Sequence, residues 1–150
     1  MLKVGDRLPE FEAVQQDGRT VTSRDFADRK LVVFFYPKAS TPTCTVEACN
    51  LAENYGALKN AGYEILGISA DSVTKQKNFQ KKNNLPFDLL ADENHDILKK
   101  FGVWQEKTTF GKTYMGIVRT TFIFDESGVC VRVIDKVKSK SAAEQILEAE

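Results

Sequence analysis

Apolar residues fall along the chain in short blocks of distinct period. Leu31 to Tyr36 is an unbroken run of β-branched, aromatic and leucine side chains, which reads as a strand buried on both faces. Glu64 to Ser69 reads as a second buried strand. Phe11 to Val14 and Thr20-Val21 flank Asp17-Gly18, the pattern of a hairpin. Between the two buried strands Thr41 stands as an N-cap with Pro42 at the first helical position, and a helix is predicted through Leu51 and Leu58 to a stop near Gly62. Ser72 caps a polar helix reaching about Asn83, and Pro86 opens a short strand at Phe87 to Leu90. Asp92 or Glu93 starts a helix ending before Gly102. Thr120 to Asp125 and Val129 to Val133 flank Glu126-Ser127-Gly128 as a second hairpin, and Ser141 with Glu144 makes a capping box for a last helix.

This order is that of an α/β protein. A helical crossover between the first two core strands predicts a parallel pair, and the closing hairpin adds an antiparallel part. The expectation is a thioredoxin-like fold: a mixed central β-sheet flanked by helices, with an N-terminal β-hairpin. The chain has 150 residues, 42% hydrophobic and 28% charged, and shows no repeat, linker or low-complexity stretch, so one domain over 1–150 is expected. Lysine and arginine total 21 against 21 aspartate and glutamate, which removes the electrostatic footprint of a nucleic-acid binder. The longest apolar run, six residues at Leu31 to Tyr36, falls far short of the roughly 20 that span a membrane. Met1 to Asp6 lacks the apolar stretch of a signal peptide. A cytoplasmic location with no membrane partner is therefore expected, where the three cysteines stay reduced.

The chemistry concentrates in Pro37 to Cys49. Cys44 lies just past a buried strand, as the third residue of the predicted helix, where free backbone N–H groups and the helix dipole favour an anion. An ordinary free thiol is only a few per cent thiolate at pH 7. Lowering a thiol pKa by two units takes about 2.7 kcal/mol, and the dipole supplies roughly 0.3–1, occasionally 2. A cation is implied. A lone cysteine of this kind is more often inert packing, but the cap, the proline and the strand end converge on one exposed position.

The spacing Pro37-x-x-x-Thr41-x-x-Cys44 resembles the active-site signature of the peroxiredoxins, and Thr41-Pro-x-Cys44-Thr45-x-Glu47-Ala48-Cys49 resembles their bacterioferritin-comigratory-protein, or Q-type, subfamily. Val4-Gly5-Asp6-x-x-Pro9, Gly102-Val-Trp104 and Gly111 to Phe122 are similar to further blocks of the family. Thr43 and Gln105 stand where many members carry glycine, and Ala39 where many carry aspartate. The resemblance implies a thiol-dependent peroxidase acting on hydrogen peroxide and alkyl hydroperoxides, with thioredoxin as reductant, no cofactor, no metal, and a monomeric or weakly homodimeric state. It implies that Cys44 attacks the peroxide as a thiolate, that Thr41 orients the peroxide, that Pro37 shields the pocket, and that Arg119 is the missing cation. Taken alone, Thr41 is also a cap, Pro37 a strand end and Arg119 a surface charge before a strand. Glu47 has two readings, an orienter of an arginine or a solvated first-turn carboxylate.

Cys49 is the nearest partner for a sulfenic acid on Cys44, and the resemblance favours it over a simple buried helix residue. Five residues apart on an intact helix, the two Cα atoms lie roughly 8–9 Å apart, against the 4.4–6.8 Å that disulfides need. A disulfide here requires the helix start to unwind. Cys130 reads as packing and His95 as a surface residue. Three other readings compete. A thioredoxin-type oxidoreductase needs C-x-x-C, whereas this chain has C-x4-C. A zinc site needs closer ligand pairs. A non-enzymatic binding module on the same fold stays open, because fold does not fix function.

Overall fold

The computed structural model describes residues 1–148; positions 149 and 150 of the expected domain lie outside the described residues. The N-terminal hairpin pairs β1 (Glu12–Gln15) with β2 (Thr20–Thr22). β3 (Lys30–Phe35) is followed by α1 (Pro42–Glu53), α2 (Tyr55–Asn60) and β4 (Tyr63–Ser69). Then come α3 (Val73–Asn83), β5 (Asp88–Ala91), α4 (Asp96–Phe101), β6 (Trp104–Thr109), β7 (Lys112–Ile117), β8 (Thr120–Phe124), β9 (Cys130–Ile134) and α5 (Ala142–Leu147).

Among the described residues, seven strands form one mixed sheet in the order β2-β1-β5-β4-β3-β8-β9. β3, β4 and β5 run parallel, and β8 lies antiparallel against β3. The pleat divides β3 between two cores: Val32 and Phe34 pack with α1, α2, α3 and α5, while Leu31, Val33 and Phe35 pack with α4 on the other face. Each fully buried phenylalanine of this kind contributes about 1.5–3 kcal/mol. The expected thioredoxin-like architecture is the one present. No helix among the described residues is long and apolar enough to cross a membrane.

Four local details differ from the sequence reading. The helix expected to run to Gly62 breaks at Asn54, whose side-chain amide donates to the Asn50 carbonyl at 2.9 Å and ends α1 there. The helix expected from Asp92 starts at Asp96. Asp92 acts from a distance instead, its Oδ2 accepting from the Leu98 amide at 2.8 Å, while His95 adopts a left-handed φ of 67°. No capping box forms at Ser141, because its amide, which the Glu144 carboxylate would take, already donates to the Lys138 carbonyl at 2.9 Å, while Asn50 Oδ1 reaches over from α1 to accept from the Ala143 amide at 2.8 Å. Finally, β6 and β7 form a separate two-stranded hairpin. Its turn is Phe110-Gly111, both at positive φ, which lacks the usual asparagine or aspartate signal.

Candidate active site

The sheet topology assembles the site. β3 and β4 end side by side, and antiparallel β8 begins at that same end, with Thr120 opposite Phe35. Arg119 therefore enters from one side just as the chain leaves β3 for the Pro37–Ser40 loop and α1. Pro42 occupies the first position of α1 and Cys44 the third. Arg119 Nη2 donates to Cys44 Sγ at 3.2 Å, and Nη1 donates to Glu47 Oε1 at 2.6 Å. Cys44, Arg119 and Glu47 thus form one chain of bonds across residues 75 apart in sequence.

Burial corrects one expectation and decides two open readings. Cys44 is not exposed but 2% accessible, and Glu47 is wholly buried, so it is not a solvated first-turn carboxylate. Arg119 is not a surface charge either; its side chain is 19% exposed. Thr41 is the N-cap residue by position, yet its hydroxyl makes no cap bond. It donates to the Lys38 carbonyl at 2.8 Å, which folds the loop back on itself. Pro37 is exposed at the start of that loop.

Burial pushes the Glu47 carboxyl up to about 7, against the pull of the Arg119 charge and hydrogen bond. Its Oε2 has no hydrogen-bond partner among the described residues. Burial also works against the Arg119 charge, but the bonds and charges of Cys44 and Glu47 outweigh it and hold the guanidinium above its ordinary value. A permanently charged fork beside a buried sulfur at a helix start is an arrangement for stabilising a thiolate and a developing oxyanion.

Residues 4–133 match the AhpC/TSA family. The chain belongs to that family. It is 45% identical to Peroxiredoxin Bcp of Escherichia coli over 146 residues, covering 97% of this chain and 94% of that one. Solved structures of the Xanthomonas campestris bacterioferritin comigratory protein, concerned with its alkyl peroxide reduction, align with a TM-score of 0.88 at 34% identity, covering 96% of each chain. A cysteine mutant of Xylella fastidiosa PrxQ aligns with a TM-score of 0.93 at 27% identity, covering 99% of this chain and 95% of that one. With the family comes the class of activity, that of a thiol peroxidase.

In this peroxiredoxin Cys49 sits half-buried one turn beyond Cys44, both as free thiols. Its Sγ donates to Asn83 Oδ1 on α3 at 3.6 Å. Burial, with the Glu53 charge adding, pushes the Cys49 thiol up, so it is kept as a neutral donor. Cys130 is buried in the core against α4, and His95 stacks on Trp104 with ring centroids 3.9 Å apart. The sequence reading passed over the buried polar groups behind the Pro37–Ser40 loop: Tyr36, Ser69, Asp71 and Gln76. The available signal was Ser69-x-Asp71, polar residues placed where a buried strand ends.

Proposed function

We propose that this peroxiredoxin reduces hydrogen peroxide and alkyl hydroperoxides through Cys44, working as one thioredoxin-like domain. The Cys44 thiolate attacks the terminal peroxide oxygen. The S–O bond forms, the O–O bond breaks, the sulfur is oxidised to sulfenic acid, and the departing alkoxide or hydroxide takes a proton. The Arg119 fork on Cys44 Sγ is the observation that carries this reading, because it places fixed donors where negative charge resides and then develops. Glu47 orients that fork. Thr41 orients the peroxide, and Pro37 shields the pocket.

Cys49 then condenses with the sulfenic acid, releasing water and forming a Cys44–Cys49 disulfide. A thioredoxin dithiol returns both cysteines to thiols by exchange, which suits a reducing compartment such as the cytoplasm. The protein acts as a monomer or weak homodimer. The test is peroxide consumption with thioredoxin and its reductase, with mass spectrometry of the oxidised chain. Cys44→Ser is expected to abolish turnover while leaving the fold intact. One equivalent of peroxide is expected to give an intramolecular Cys44–Cys49 link, seen as the loss of two hydrogens. Turnover within about tenfold of the parent in Cys44→Ser (a barrier change near 1.4 kcal/mol), or a Cys44–Cys130 link, overturns the assignment.

A further inference from the structure

Behind the Pro37–Thr41 loop lies a buried polar network that the cysteine chemistry does not use. Asp71, just beyond β4, turns its Oδ2 toward the loop and accepts from the Ala39 amide at 2.7 Å. The same oxygen accepts from the Ser69 hydroxyl at 2.7 Å. Ser69 Oγ in turn accepts from Gln76 Nε2 at 3.0 Å and from the Asp71 amide at 3.2 Å. Gln76 is tied to the Leu90 carbonyl at 2.8 Å, and its Oε1 accepts from the Tyr36 hydroxyl at 2.5 Å. Tyr36, Ser69 and Gln76 have no accessible surface and Asp71 is 9% exposed. Apolar side chains could fill this space without the cost of desolvating so many polar groups. What the network delivers is a carboxylate aimed at one backbone amide of the loop.

That amide is well placed to matter. The next residue, Ser40, is a non-glycine held at a left-handed φ of 64°, a conformation that persists only when its surroundings impose it. Thr41 follows, with its hydroxyl folded onto the Lys38 carbonyl. We propose that Asp71 is a positioning residue for peroxide reduction: through the Ala39 amide it holds the Pro37–Thr41 loop in the shape that presents Thr41 to the hydroperoxide. This rests on the reading of Cys44 as the nucleophile. The two sides of the site then have separate supports. Glu47 sets Arg119 against the sulfur, and Asp71 sets the loop against the substrate oxygens.

The separation supplies the test. Attack on a peroxide needs both oxygens in line with the sulfur, whereas alkylation by iodoacetamide needs the sulfur alone. Asp71→Ala is expected to slow Cys44 oxidation by hydrogen peroxide by about tenfold to a hundredfold, measured by rapid quench and mass spectrometry, with the iodoacetamide rate unchanged. Asp71→Asn keeps an acceptor oxygen for Ala39 and is expected to recover part of the loss; should Asp71→Ala fail to fold, it carries the test alone, with the same selectivity at smaller size. Combined with Thr41→Val, either Asp71 variant is expected to add nothing to the loss from Thr41→Val, because both act through one element. Equal slowing with both reagents, an unchanged peroxide rate, or full additivity overturns the proposal. Peroxide reduction surviving in Cys44→Ser overturns the underlying reading instead.

Discussion

Arg119 makes two bonds of different consequence. The one to Cys44 Sγ supplies charge to the sulfur; the one to Glu47 Oε1 fixes the angle at which that charge arrives. Arg119→Met keeps the apolar stem of the side chain and removes both. It is expected to slow peroxide attack by about 10²–10³-fold, the usual loss for one preorganised donor at a developing charge, and single-turnover quench of Cys44 oxidation measures it. Glu47 adds a pH signature. Its carboxyl rises from an ordinary 4.5 to about 7 in the folded chain because it is buried. Between those values the unfolded chain has lost the proton and the folded chain keeps it, so stability falls as pH rises through the window, by on the order of 3 kcal/mol in total. Glu47→Gln removes the titration while retaining an acceptor for Arg119. Urea unfolding at pH 5 and pH 7.5 is expected to show the parent losing stability relative to the variant; a constant difference at both pH values counts against a raised Glu47.

At the scale of the element, the proposed Cys44–Cys49 disulfide asks α1 to be stable enough to hold Cys44 at its start and weak enough to open between the two cysteines. The bonds that hold it are identifiable. Thr45 returns both its amide and its hydroxyl to the Thr41 carbonyl, at 2.9 and 2.8 Å. Cys49 reaches Asn83, and Asn50 clamps the C-terminal segment through the Lys140 carbonyl and the Ala143 amide, each at 2.8 Å. On the proposed mechanism, unwinding up to Cys49 would stop against the Asn50 clamp. Without a resolving thiol, the sulfenic acid on Cys44 waits and climbs the oxidation ladder. Cys49→Ser is expected to react once with peroxide and then, at higher peroxide, to accumulate the sulfinic acid, read as a two-oxygen adduct on the Cys44 peptide. The parent is expected to lose far-UV helical signal on oxidation, and an unchanged signal counts against unwinding. The start of α1 was legible in Thr41-Pro42, because caps and prolines act locally. Its end at Asn54 and the missing capping box at Ser141 were not, because the first depends on where the Asn54 side chain reaches and the second on the Lys138 carbonyl taking the Ser141 amide.

Across the whole molecule, the features the sequence made plain are those set by local pattern: two buried strands, the parallel crossover, both flanking hairpins, and the helix start that carries Cys44. The features it hid depend on register. Without the family resemblance Arg119 reads as a surface charge, and the pairing of Thr120 with Phe35 is what brings it to the cysteine; Glu47 was undecided until burial removed the solvated reading. The same dependence on register governs the packing beneath the site. Gly67 in β4 lies opposite Phe34 of β3 and Leu89 of β5. A Cβ there would fall 2.7 Å from Phe34 Cζ and 2.7 Å from Leu89 Cδ2, closer than side-chain carbons approach. Phe34 stacks on Tyr36 at 5.5 Å and meets Phe87 edge-on at 5.6 Å, so its ring has little room to yield. Gly67→Ala therefore overpacks the middle of the sheet and is expected to cost about 1–3 kcal/mol. In urea the midpoint is expected to fall while the slope of the transition stays the same, since the surface exposed on unfolding barely changes. An unchanged midpoint would mean that the Phe34 ring and Leu89 move aside without loss, and that close packing between β3 and β4 is not what sets the stability of the sheet end carrying Cys44.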